Sequence, residues 1–142
     1  MLSPILDENG LLCWRSIMDC AENIVITAHS GPDGDAIGSS LGLAEFLRQQ
    51  GTNVSVVMPN RFPDFLRWMK GTDKIVLYDA SPSEADRLIA ESDVIFSLDY
   101  NSLDRADALG QVIAESRAKK IMVDHHLSPS DFADFMVSYP EL

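Results

Sequence analysis

Ile24-Val25-Ile26-Thr27-Ala28-His29-Ser30-Gly31-Pro32-Asp33-Gly34-Asp35-Ala36-Ile37-Gly38-Ser39 is the stretch that decides how this chain folds. Ile24 to Ala28 is an apolar, β-rich run of strand length. From Asp35 to Gln50 the pattern turns helical, with Ile37, Leu41, Leu43, Ala44 and Leu47 apolar, and Gly51 stands where a helix C-cap belongs. Between the two, His29 to Asp35 sets one imidazole and two carboxylates beside a Gly-Pro turn. Imidazole with carboxylates suits a hard or borderline divalent cation such as Mn²⁺ or Zn²⁺. Acids packed this closely repel one another unless a cation neutralises them. The stretch therefore reads as a strand, a metal-binding loop and a helix.

The same alternation continues along the chain. Val54–Met58 is an expected strand stopped by Pro59-Asn60, Phe62–Lys70 a short helix, and Ile75–Tyr78 a short strand. Pro82–Ala90 is a helix with Ser81 as N-cap and proline in its first position. Val94–Leu98 is a strand, Arg105–Ala118 a helix and Ile121–Val123 a strand. Residues 1–22 read as a leader with an amphipathic helix whose apolar side is Leu11, Leu12, Trp14, Ile17, Met18 and Ala21. Cys13 and Cys20, two helical turns apart and too far to bridge, are expected as buried or half-buried thiols. Strands alternating with helices imply one α/β domain with a mostly parallel sheet flanked by helices.

Composition sets the outer limits. The 142 residues are enough for one real core, and 46% hydrophobic with 23% charged is an ordinary globular balance. The formal net charge of -11 argues against gripping long duplex nucleic acid through a basic face. It leaves room for a small phosphorylated substrate, because bound metal reverses the field inside a cleft. No apolar run approaches membrane-spanning length and no signal-peptide pattern opens the chain, so no membrane partner and a cytoplasmic location are expected.

Three expected strands run into the same chemistry. Ile24–Ala28 leads to His29, Asp33 and Asp35; Val94–Leu98 leads to Asp99; Ile121–Val123 leads to Asp124-His125-His126. In a parallel sheet all carboxyl ends point one way, and ligands bind in the crevice outside them. Val54–Met58 ends in Pro59-Asn60 and offers no ligand. Asp35 falls near a helix N-terminus, which also favours a phosphate. Gly38, Ser39, Ser40 and Gly42 keep that helix surface small, which suits close packing on the sheet. Each motif alone has an ordinary reading: Asp-Gly-Asp as a turn or cap, Asp99 as a turn residue before Asn101 and Ser102, paired histidines as polar surface. Asp79 is assigned to that ordinary class. Three strand ends sharing one chemistry outweigh those readings taken singly.

These residues resemble the DHH phosphoesterase superfamily, named for its third motif, here Asp124-His125-His126. The first motif is similar to His29-x-x-Pro32-Asp33-Gly34-Asp35-Ala36-Ile37-Gly38-Ser39, and the second to Asp99 followed at six residues by Arg105. Within the superfamily the Pro-Asp-Gly-Asp-Ala-Ile-Gly-Ser form resembles the nanoRNase group, bifunctional oligoribonucleases that also act on 3'-phosphoadenosine-5'-phosphate (pAp). Manganese-dependent inorganic pyrophosphatases usually carry Asn before the proline and Thr between the two acids, and RecJ exonucleases usually lack the leading histidine.

The resemblance implies a Rossmann-like DHH domain holding two Mn²⁺ ions, with Mg²⁺ or Co²⁺ as substitutes. One ion would be held by His29, Asp33 and Asp99, the other by Asp35, Asp99 and His125. His126 would contact the scissile phosphate, Asp124 would orient its neighbours, and Arg105 and Ser39 would bind substrate. It implies two-metal hydrolysis of short oligoribonucleotides to 5'-mononucleotides and of the 3'-phosphate of pAp, in a possible homodimer. Cyclic or linear dinucleotides are the near alternative substrates. A non-catalytic nucleotide- or metal-binding module is the alternative from another class. The family also carries a further metal-binding aspartate in a fourth motif and a second domain, DHHA1, that grips substrate. The chain is thus expected to be the N-terminal part of a DHH domain, cut before both and without what they contribute to activity. Asp131 and Asp134, in an expected helix, come too soon after the third motif to replace that aspartate.

Overall fold

A computed structural model of the chain describes residues 8–100, 102–124 and 133–138. The elements in order are α1 (Glu8–Met18), β1 (Asn23–Thr27), α2 (Gly34–Gln49), β2 (Asn53–Met58), β3 (Val76–Leu77), α3 (Pro82–Glu91), β4 (Val94–Leu98), α4 (Asp107–Glu115), β5 (Lys119–Asp124) and β6 (Phe135–Ser138). The six strands form one sheet in the order β3-β2-β1-β4-β5-β6, and every pairing is parallel.

The alternation of side chains across the pleat divides the core in two. Ile24, Ile26, Val54, Val56, Phe96 and Ile121 face one layer with α2 residues Ile37, Ala44 and Leu47, and Trp14, Ile17 and Met18 of α1 pack against it. Val25, Val57 and Ile95 face the other, with Ala85 and Ile89 of α3 and Leu109 and Ile113 of α4. Both faces of the central strands are covered, which is why β4 is buried at all five positions and reads as an unbroken apolar run. Among the described residues no helix is long and apolar enough to cross a membrane.

The structure corrects several expectations. Leu12 is 64% exposed and Leu11 45% exposed. At 100° per residue the stripe Trp14-Ile17-Met18-Ala21 leaves Leu12 on the far side of the helix, and Leu11 sits in its first turn. Cys13 lies on the flank away from that stripe and Cys20 in the turn beyond Met18, so both thiols are exposed rather than buried. No α-helix forms over Phe62–Lys70. Successive i→i+3 bonds (Leu66 to Pro63, Arg67 to Asp64, Met69 to Leu66) wind it tightly, with one 3₁₀ turn at Asp64–Leu66. Phe62 and Leu66 still reach the core from this tighter winding. The helix expected over Arg105–Ala118 begins as a 3₁₀ turn, Leu103–Ala106, and becomes α4 only after a break at Asp107, where φ is +50°.

Asp134 is not in a helix: its carboxylate accepts from Lys120 N at 2.8 Å, and its own N–H bonds Lys120 O, which starts β6 beside β5. Asp131 lies outside the described residues. The small residues of α2 also divide. Ser40 is fully buried, but a Cβ at Gly38 or Gly42 would meet nothing within 4 Å, so close packing on the sheet does not require those glycines.

Candidate metal centre

Sheet order and register build the site. The order β3-β2-β1-β4-β5-β6 reverses its direction of winding between β1 and β4, the point at which doubly wound sheets open a crevice at their carboxyl ends. Thr27 pairs with Ser97 in that register. His29 and Asp99, each two residues further on, are thereby delivered side by side. Asp99 leaves the extended conformation with φ +61°, a left-handed turn that aspartate tolerates better than most residues, and its N–H donates to Val123 O at 3.0 Å. Asp124 follows Val123 and is buried at the end of β5.

The third group comes from the helix. Asp33 is the N-cap of α2, its Oδ1 accepting from Ala36 N at 2.9 Å. That cap holds Oδ1 3.8 Å from His29 Nε2, while Asp99 Oδ2 is 3.5 Å from the same nitrogen. One ligand atom from each of His29, Asp33 and Asp99 lies within 4.8 Å of the others.

The donor set fits a divalent cation. His29 Nδ1 is 2.8 Å from Ser30 O. A carbonyl can only accept, so Nδ1 carries the hydrogen, and in the neutral ring Nε2 turns its lone pair toward two carboxylates. A lone pair facing carboxylates calls for a positive charge between them, a proton or a metal cation, and imidazole plus carboxylate is the ligand chemistry of Mn²⁺ and Zn²⁺ sites.

Other residues singled out in the sequence sit around this cluster. Asp35 is exposed in the first turn of α2 and accepts from Ser39 Oγ at 3.2 Å; it is not one of the three clustered ligands. Ser39 is exposed one turn further on. Arg105, also exposed, lies in the 3₁₀ turn after β4, and its carbonyl accepts from Ser30 N at 2.6 Å. His125 and His126 lie outside the described residues.

Three supports were not legible in the sequence. Asn60, at the end of β2, bonds the loop after β1 twice: its Oδ1 accepts from Gly31 N and its Nδ2 donates to Ser30 Oγ, both at 2.6 Å. Ser30 Oγ donates in turn to Asp107 Oδ2 at 2.5 Å. Beneath His29 and Asp99, the fully buried Tyr100 hydroxyl lies 2.8 Å from Thr27 Oγ1 and donates to Ser97 Oγ at 2.7 Å, tying β1 to β4. Burial pushes the Tyr100 phenol up to about 12, against the opposing pull of those two hydroxyls, so it stays neutral. The only sequence signal for Asn60 was its position at a strand's carboxyl end.

Fold and site together define a doubly wound α/β protein with a candidate metal centre at its switch point. The chain belongs to the DHH family: the family's N-terminal domain profile matches residues 23–141. DHH proteins are phosphoesterases. Among solved structures it is similar to an exopolyphosphatase-related protein from Bacteroides fragilis, at 47% identity and a TM-score of 0.96, over 99% of this chain and 42% of that one. The chain thus spans less than half the length of that relative. It also resembles the exonuclease RecJ bound to manganese, at 18% identity and a TM-score of 0.52, over 99% of this chain and 34% of that one. An α-glucosyltransferase in complex with UDP and a 13-mer DNA shares 14% identity and a TM-score of 0.62, over 82% of this chain and 37% of that one. At those identities both likenesses concern the fold. No curated protein matches the chain by sequence.

Proposed function

We propose that the protein is a metal-dependent phosphoesterase of the nanoRNase type, cleaving short oligoribonucleotides to 5'-mononucleotides and removing the 3'-phosphate of pAp. The observation that carries this reading is the convergence of His29, Asp33 and Asp99 from two strand ends and a helix cap. These residues would hold one Mn²⁺, and Asp35 and Asp99 with His125 a second. A bound divalent cation supplies Lewis-acid stabilisation of phosphoryl charge and lowers the pKa of water.

The chain's own groups do the rest. Asp33, fixed by its bond to Ala36 N, keeps its carboxylate aimed at His29. The N-terminus of α2 favours an anionic phosphate next to that carboxylate. Arg105 would meet the substrate phosphate and Ser39 its edge. His126 would bond the scissile phosphate, with Asp124 orienting its neighbours. Without a cation the acids of this edge repel a phosphate, so substrate binding depends on metal.

The test is Mn²⁺-dependent hydrolysis of a ribodinucleotide and of pAp, by the chain and by the chain extended to the length of its Bacteroides relative. Turnover that Asp99→Ala abolishes is expected. No turnover by the extended protein, or undiminished turnover in Asp99→Ala, overturns the proposal. The name of the 47%-identical relative favours a second reading, a polyphosphate substrate at the same residues. Relative rates on inorganic polyphosphate, dinucleotide and cyclic dinucleotide separate the substrates.

A further inference from the structure

We propose that Asn60 is a positioning residue for the metal centre, acting through Ser30 to set the plane of the His29 imidazole. This rests on the metal-site reading of His29, Asp33 and Asp99. Asn60 lies two residues past the end of β2, which flanks β1 on the side away from β4, and it is no candidate ligand.

The directions of its hydrogen bonds are forced. Gly31 N–H can only donate, so the atom facing it must be the amide oxygen. The other amide atom is then an N–H₂, which must donate to Ser30 Oγ. Ser30 has one hydroxyl proton, and the Asp107 carboxylate takes it. The relay Asn60 to Ser30 to Asp107 therefore runs one way only, with all three distances at 2.6 Å or less. The backbone adds a fourth tie, Ser30 N to Arg105 O at 2.6 Å.

This matters because His29 Nδ1 bonds the carbonyl of Ser30. The Ser30–Gly31 peptide that orients the ring is held by Asn60 through Gly31 N, while Arg105 and Asp107 hold Ser30 by its N–H and its hydroxyl. Two of the contacts in this corner come from non-glycine residues with positive φ, Asp99 at +61° and Asp107 at +50°. Asp107, with ψ -135°, stands in a conformation that glycine favours and that strains a side-chain-bearing residue. The corner keeps that conformation together with its bond to Ser30. Groups that orient a metal-bound histidine are worth 10–100-fold in metal affinity.

The experiment is a Mn²⁺ titration by calorimetry on the 142-residue chain and its variants, with thermal melts of the metal-free proteins beside it. Asn60→Ala and Ser30→Ala should each weaken Mn²⁺ binding by roughly 10–100-fold. Ser30→Thr, which keeps the hydroxyl, should restore most of the affinity. Val54→Ala is the control: Val54 is buried in β2, the strand that leads to Asn60, so its loss lowers the melting temperature while leaving Mn²⁺ affinity unchanged. If native protein binds Mn²⁺ and Asn60→Ala binds it equally well, the positioning role falls and the metal site stands. It falls as well if Val54→Ala weakens binding as much as Asn60→Ala does. No Mn²⁺ binding by the native chain overturns both.

Discussion

Replacing Asp99 by Asn separates metal ligation from folding more sharply than any other single change here. The amide is isosteric with the carboxylate, and Asn tolerates φ +61° as well as Asp does. The bond from Asp99 N to Val123 O involves backbone only and survives. The metal-free variant should therefore melt within about 1 kcal/mol, or roughly 3 °C, of the native chain. What the variant loses is the charged oxygen 3.5 Å from His29 Nε2.

A ligand present at about 100 times its Kd stabilises the folded state by roughly 2.7 kcal/mol. For a chain of this size that amounts to an increase of about 8 °C in melting temperature. If losing the carboxylate weakens binding about 100-fold, the same Mn²⁺ concentration stands at the variant's Kd. Stabilisation there is only RT ln 2, about 0.4 kcal/mol, or roughly 1 °C. Differential scanning calorimetry with and without Mn²⁺ reads both numbers. Equal Mn²⁺-induced shifts in native protein and Asp99→Asn would refute the assignment of Asp99 as a ligand. A large drop in the metal-free melting temperature would refute the claim that its role is separable from folding.

Two further changes test the scaffold. Gly110→Ala places a Cβ 2.0 Å from Leu103 O and 2.8 Å from Leu103 C, backbone atoms that cannot step aside, so α4 must part from the 3₁₀ turn before it; a loss of about 3 kcal/mol or more is expected in urea melts, and a loss below about 1 kcal/mol would contradict the close approach. Tyr100→Phe removes the hydroxyl shared by Thr27 and Ser97 without changing the ring's volume and should cost about 1–2 kcal/mol by the same assay, while a neutral outcome would mean that the buried hydroxyls re-pair without it.

Much of this architecture was legible because apolar runs and their punctuation are local. Ile24–Ala28, Val54–Met58, Val94–Leu98 and Ile121–Val123 each sit within a residue or two of an observed strand end, and α2 matches its apolar periodicity and its Gly51 stop. Parallel pairing followed from the helices between them. The segments that misled are those where local and tertiary forces compete. Phe62–Lys70 has helical spacing but winds as 3₁₀ turns, and Leu12 is as apolar as Ile17 but faces away from the sheet. The strand at Phe135–Ser138 was missed because its pairing with β5 is what makes it a strand.

For the site, the sequence alone determined the inventory and its edge. His29, Asp33 and Asp99 follow strands or cap a helix, and parallel strands bring such ends to one side. Only the tertiary structure decided which atoms meet. Asp33 and Asp35 are two residues apart, yet Asp33 joins His29 and Asp99 because capping Ala36 N turns its carboxylate toward them. Asp35, inside the first turn, bonds Ser39 on the helix surface instead. Asn60 and Asp107 were beyond sequence reasoning for the same cause. They are 30 and 77 residues from Ser30, and a hydrogen bond of 2.5–2.6 Å depends on the closing of the sheet and leaves no local periodicity to read.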